Sequence, residues 1–478
     1  MARLCAAPGR SRPRPALKRA DVLALCAQAL VFGPLVAFRF VDGDEGAYAY
    51  AARLARQGHV PYRDFFYEQM PLLPYVYGGW IAVTGESWYS VRLLSALLAA
   101  AAGAVLYIPV LRRHGSRPLA AAGLALYALS ALVLGYFSIV KTFALASLFL
   151  LAALALVDGP GRRRWLAAGL LVGFAVDTRL VFAAAAPAFA YAARRRLAPF
   201  AAGLAAGLLP SVVLLALAPH QFVFDNLRYH GEKTAHGLVG DPGQKARTAA
   251  NLFGYGNTDH ALGLQFALLL LATAAAVWLL RRRLPLAAGV GALLGVACLL
   301  PTPTYVKYFC VAVPFMVLVV VEAAASRALV PALGVLLVPY AVAAGFAYAH
   351  DVDTSPLLKP SLASVRKVSA VVERETAPGE RVLSAWPGYL FGTHATAWPG
   401  YTDQFAPAAA AHVSPAEARR VHVVSEAELE AAILARAPRL VVYRNWVTTA
   451  PFAVWDVPLS AGRYHLAETV ETARIYRR

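Results

Sequence analysis

The chain has 478 residues, of which 59% are hydrophobic and only 15% charged, with a formal net charge of +18. That balance excludes a disordered chain and an ordinary soluble domain. It also argues against nucleic acid as a partner, because the positive residues are gathered between apolar runs, at Arg112-Arg113 with Arg117, Arg162-Arg163-Arg164, Arg194-Arg195-Arg196 and Arg281-Arg282-Arg283. Clusters of this kind follow the positive-inside pattern of membrane proteins.

Residues 1–20 form a basic tail with Arg10, Arg12, Arg14, Lys18 and Arg19, expected in the cytoplasm. The first span is expected at about 21–40. It lacks a small-x-small cleavage site, so it reads as an anchor and not as a cleaved signal.

A polar and aromatic loop follows at 41–87 and holds Asp42, Asp44, Glu45, Asp64, Glu68 and Glu86. Asp42-Gly43-Asp44-Glu45 has the D-x-x-E spacing of a capped helix start, and Gly58 suits its end. Residues 59–62 are expected to be extended before a second short helix opening at Pro71. The aromatic residues Tyr48, Tyr50, Tyr62, Phe65, Phe66, Tyr67, Tyr75, Tyr77 and Trp80 are expected at headgroup level. Asp44 falls in the first turn, where free N–H groups favour an ionised carboxylate that can serve as a base or a cation ligand.

Further spans are expected at about 88–111, 118–134, 139–157, two short ones within 165–193 meeting near Asp177-Thr178-Arg179, and 198–218. A second large outer loop, 219–260, carries His230, Glu232, Lys233 and His236. Spans at 261–280, 284–300, 308–325 and 328–348 complete about eleven transmembrane helices, with every basic cluster on one side. Residues 21–349 are thus expected to form a polytopic α-helical membrane domain.

Beyond residue 350 the apolar runs stop. Strands are expected at Arg381–Ala385 and Arg439–Tyr443, a helix after the Ser425-x-x-Glu428 capping box, and a terminal hairpin at 464–476. Residues 350–478 are therefore read as a small extracytoplasmic α/β domain. Its Trp386-Pro387-Gly388-Tyr389 and Trp398-Pro399-Gly400-Tyr401 turns suit either sugar stacking or packing on the membrane part. Cys5, Cys26, Cys298 and Cys310 form no C-x-x-C pair and suggest neither a disulfide framework nor a zinc site.

Asp44-Glu45 with Tyr48, then Gly58, Pro61-Tyr62, Asp64-Phe65, Pro71-Leu72, Gly85 and Arg92, is similar to the first outer loop of the GT-C glycosyltransferases. More narrowly it resembles the protein O-mannosyltransferase and lipid A aminoarabinose-transferase group, and Lys307-Tyr308-Phe309 extends the likeness. The resemblance implies transfer of a sugar from a polyprenyl-phosphate donor on the extracytoplasmic face, with Asp44 of the Asp44-Glu45 pair as the catalytic carboxylate. The acceptor would be an envelope glycan, lipid or protein.

The departing phosphate needs positive charge nearby. Arg63, Arg92, Lys141 and Lys307 all fall near the outer face and are assigned to it, while Arg179 and Arg228 lie in the same region. Tyr48, Tyr62, Asp64, Glu68, His230 and Tyr308 are assigned to substrate or acceptor contacts. The pattern departs from the aminoarabinose transferases where Gln69-Met70, not a Glu-Lys pair, precede Pro71. A divalent metal ion, held by Glu68 with His230 or His236, is left open as a cofactor. The competing reading is a membrane transporter or a flippase for a lipid-linked glycan, which would place ionisable residues near the midplane.

Overall fold

The computed structural model describes residues 16–157, 159, 161–232, 240–256, 259–356, 358–443 and 455–478. Lys233, His236 and Asn257 lie outside them. Four helices are long and apolar enough to cross a membrane: Arg19–Phe38, Trp88–His114, His260–Leu280 and Val330–Val352. Two bent pairs, Arg117–Ala128 with Ala131–Phe137 and Leu197–Gly207 with Leu209–Leu217, raise the number to six. Length and composition thus support four to six of the eleven expected spans, in the architecture of a multi-pass membrane protein. Shorter apolar helices, among them Thr142–Val157, Leu286–Ala297 and Val313–Ser326, fill the bundle.

The third span is not a single rod, as its sequence had implied. It bends by 61° at Leu129-Ser130. Gln265 meets the polar groups freed by the bend. Its Oε1 accepts from the Ala131 N–H at 2.6 Å, and its Nε2 donates to the carbonyls of Leu129 and Tyr340 at 2.8 and 2.7 Å. In a water-poor interior a broken backbone is tolerated only with such partners.

Arg162–Thr178 and Leu197–Gly207 run unusually close together. Cβ atoms on Gly169, Gly173, Gly203 or Gly207 would each collide with the facing backbone. The two small-x-x-x-small rows let these helices touch main chain to main chain.

The first loop begins as expected. The helix Gly43–Arg56 is capped by Asp42, whose Oδ1 accepts from the Asp44 N–H at 3.0 Å, while Glu45 Oε1 accepts from the Asp42 N–H at 3.0 Å. Gly58 takes a φ of 91° just past its end. The next stretch is a tight turn and not extended. Tyr62 has a φ of 68°, and Asp64 Oδ2 accepts from the Val60 N–H at 2.7 Å. The helix Leu72–Thr84 follows Pro71.

Most aromatic residues of this loop face the protein interior, while Tyr75 stays exposed. Tyr48, Tyr50, Tyr62, Phe65, Phe66, Tyr67 and Tyr77 are all buried. They pack in cores shared with residues beyond 350, which cover the loop.

The C-terminal region carries a five-stranded sheet: β1 (Arg381–Ser384), β2 (Thr396–Ala397), β3 (Leu440–Tyr443), β4 (His465–Val470) and β5 (Ala473–Arg477), in the order β2-β1-β3-β5-β4. The β1 pairings are parallel and the β3–β5–β4 pairings antiparallel. The strand β2 was too short to show as a pattern. Ser425 caps the helix Glu426–Leu434 through the expected box.

Trp386 decides the use of its turn. It stacks on Trp88 with centroids 5.7 Å apart, and its Nε1 donates to the Gly43 carbonyl at 2.7 Å. Fully buried, it is a packing residue and not a sugar platform. Gly46 faces it so closely that any Cβ there would strike the indole.

Candidate active site

Asp44 stands in the first turn of the helix Gly43–Arg56, a quarter exposed. Lys141 and Lys307 both donate to its Oδ2 at 2.6 Å. Lys141, nearly buried just ahead of the helix Thr142–Val157, also reaches Asp42 Oδ1 at 2.8 Å. Lys307 enters from the opposite wall, on the short helix Val306–Val311. Two carboxylates and two ammonium groups therefore share one cluster, drawn from positions 42, 44, 141 and 307. Burial works against ionisation of Asp44, but the two lysines outweigh it and hold the carboxyl far below the usual carboxylate range. Asp42 is shifted down for the same reasons.

Glu45 and Arg92 do not face this cluster. Arg92 grips Glu45 with two bonds, Nε to Oε2 at 2.9 Å and Nη2 to Oε1 at 2.6 Å, and neither side chain is exposed. Its Nη1 donates to the Arg39 carbonyl at 2.7 Å. Glu45 Oε2 also accepts from the Val140 N–H at 3.3 Å, next to Lys141. Glu45 and Arg92, expected in catalysis and at the phosphate, are thus engaged with each other. A guanidinium saturated by a carboxylate and a carbonyl has no free edge for a ligand. The pair instead fixes the helix that bears Asp44 to the strand of chain that bears Lys141.

Arg63 and Asp64 are also turned elsewhere. They form a surface ion pair at 2.8 Å, with Arg63 half exposed. Tyr62 is sealed in the core, its hydroxyl donating to the Gln69 carbonyl at 2.6 Å and its ring set against Phe222. These three shape the turn and do not contribute to the charged cluster.

Tyr48, Glu68 and Tyr308 do belong near it. Arg179 lies in electrostatic range of Tyr48, Tyr308, Glu68 and Asp44. Its guanidinium sits 4.9 Å over the Tyr308 ring and 5.0 Å over Phe143. Glu68 bonds Tyr229, and its carbonyl meets His230 Nε2 at 2.7 Å. Among the described residues no group of three His, Cys, Asp or Glu side chains is placed to hold a metal ion.

Arg179 had been grouped with the outer-face cations considered for the phosphate, and the break after Thr178 sets its guanidinium over Tyr308. Asp403, from the C-terminal region, was not predicted as a site residue and nears Glu68 and Asp44. Burial and those two negative neighbours push its carboxyl well above the carboxylate range. A folded-state pKa raised above the unfolded value of about 3.9 makes stability fall as pH rises through the folded value. Asp403→Asn is accordingly expected to raise the melting temperature at pH 7.5, with the gain shrinking towards pH 4. A melting series across that range checks it, and an equal shift at both ends would refute it.

Beside Lys307 a cavity of about 410 Å³ opens, lined by Tyr136, Gln244, Arg247, Asn251 and Tyr305. It joins the charged cluster to the second large loop.

A bundle of apolar helices, an aromatic loop packed against a C-terminal sheet region, and a carboxylate held by two lysines describe the fold and its candidate site. No family model matches the chain, and no curated protein matches it either. Solved structures do. The chain is similar to ArnT from Cupriavidus metallidurans bound to undecaprenyl phosphate, with a TM-score of 0.68 and 14% identity over 96% of this chain and 98% of that one. ArnT of the same organism in the apo state matches with a TM-score of 0.67 and 14% identity, over 95% and 97% of the two chains. The fold is shared along the whole length.

Proposed function

We propose that this protein is an integral-membrane glycosyltransferase that moves a sugar from a polyprenyl-phosphate donor to an acceptor on the extracytoplasmic face. The carrying observation is the Asp44 carboxylate shared by Lys141 and Lys307. A neighbour of the same fold was crystallised with undecaprenyl phosphate, which supports a lipid-borne phosphate as the ligand of this site. In this reading the bundle has about eleven spans, the arginine clusters and the N-terminal tail face the cytoplasm, and residues 350–478 lie outside.

The chemistry follows from the charges. Two ammonium groups bound to a carboxylate make it a poor base, because they stabilise the form without the proton. A donor phosphate brings new negative charge and draws Lys141, Lys307 and Arg179 towards itself. Asp44 then regains basicity when the donor is in place. An acceptor hydroxyl attacks the anomeric carbon, and its proton passes to Asp44. The bond from that carbon to the phosphate oxygen breaks, and the polyprenyl phosphate leaves with the electron pair, stabilised by the freed cations. In this reading Tyr48, Glu68, His230 and Tyr308 contact the donor sugar or the acceptor.

Lys307→Gln is expected to lower kcat/KM for the donor by about tenfold to a hundredfold, the worth of a hydrogen bond to a charged group. Assay of purified protein with polyprenyl-phosphate sugars tests it, and unaltered kinetics would remove Lys307 from the donor site. Mass spectrometry of lipid-linked sugars in cells with and without the protein would name the sugar, as the species that accumulates in its absence.

Transport draws on one residue, Asp177, a buried acid at a helix break. Its Oδ1 accepts from the N–H and hydroxyl of Ser211, where the next helix pair bends. That role at a helix junction favours structure over ion passage. Uptake into vesicles without any lipid-linked sugar would reverse this preference.

A further inference from the structure

A second and larger cavity, about 630 Å³, lies at the other end of the bundle. Trp88 and Arg92, at one end of the helix Trp88–His114, adjoin the site just described. Arg113 and His114, at its far end about 40 Å away by helical rise, line this cavity. Its walls are apolar and come from five helices, with Leu106, Leu154, Leu280, Leu286 and Leu318 among them. Its rim is basic: Arg113, Arg281, Arg282, Arg283 and Arg327.

Glu322 is the one carboxylate that lines it, and it is already engaged by Arg113 at 3.4 Å and His114 at 3.2 Å. Arg327 donates to the Leu279 carbonyl at 3.1 Å, and Arg281 lies 4.6 Å over the Trp278 ring. Arg281, Arg282 and Arg283 make no ion pair with any described carboxylate. Orientation of a membrane protein needs such charges but does not need a cavity beneath them. An apolar slot between helices, with unneutralised guanidinium groups at its mouth, matches a molecule with hydrocarbon tails and an anionic head.

We propose that this cavity binds an anionic phospholipid, its acyl chain between the helices and its phosphate under Arg281, Arg282 and Arg283. The site is separate from the charged cluster around Asp44, so its lipid is a bound constituent of the membrane and not the sugar donor.

The test uses the full chain, delipidated in detergent, with phosphatidylglycerol or phosphatidylcholine added and retained lipid read by native mass spectrometry. The wild type is expected to retain phosphatidylglycerol in preference. Arg282→Gln with Arg283→Gln should lower that retention about tenfold. Arg194→Gln with Arg195→Gln removes the same charge elsewhere and should leave it unchanged. Ala155→Trp fills the slot without altering charge and should also expel the lipid. Equal retention of the two lipids by the wild type would overturn the proposal, whatever the variants do. So would equal losses in the two double variants, full retention in Ala155→Trp, or displacement of the lipid by inorganic phosphate, which would mark a soluble-anion site.

Discussion

Asp44→Asn is expected to reduce sugar transfer by about 10²- to 10⁴-fold, the range that a positioned general base contributes. The substitution keeps the shape of the side chain and removes only its charge and basicity. Lys141 keeps Asp42 as a partner at 2.8 Å, so the cluster loses one carboxylate and not its frame. Lys307 is left with more charge to offer a phosphate. Donor binding should therefore hold or tighten while kcat falls, a split that mere misfolding would not produce. Unchanged transfer by a folded Asp44→Asn protein would remove the proposed mechanism, and a loss confined to KM would make Asp44 a binding group.

Arg92→Ala is expected to cost about 3–5 kcal/mol of stability, because it strands a buried carboxylate without its partner. Glu45 is fully buried and has Arg92 as its only cationic partner among the described residues. The loss should exceed that from Arg63→Ala, whose surface pair with Asp64 is worth less than about 1 kcal/mol. Arg92→Lys should recover little, since an ammonium cannot make the two-pronged contact. Removing both charges, with Glu45→Gln and Arg92→Met, should recover a substantial part. Denaturation in detergent measures all four. If Arg92→Ala unfolded at the wild-type midpoint, the pair would have no structural role, and a direct role for Arg92 in donor binding would reopen.

The need of Lys141 and Lys307 for partners was legible because of where they stand. A charge at the edge of an apolar run is costly unless something receives it, so Lys141 and Lys307 had to have partners. Asp44 was legible from the D-x-x-E start, which fixed its position in a first helical turn. That Glu45 and Arg92 bind each other was not legible, for a related reason. A carboxylate beside Asp44 and a cation near the same face look identical in sequence to groups that act. Forty-seven residues separate them, and no local pattern reports that each consumes the other. The burial of most of the first loop's aromatic residues was not legible. In the fold, residues beyond 350 pack against them, and periodicity carries no trace of that cover.

Local rules determined what depends on neighbours along the chain: the membrane class from apolar run length, the capped helix at Asp42, and the C-terminal strands and capping box. The tertiary structure alone decided which charges meet. It brought Lys307 across 263 residues to Asp44, set Arg179 over Tyr308 at a helix break, and placed Asp403 near Glu68 and Asp44 from beyond residue 350. Coulomb attraction acts through space and is strongest where water is excluded, so the choice among partners belongs to packing and not to sequence order.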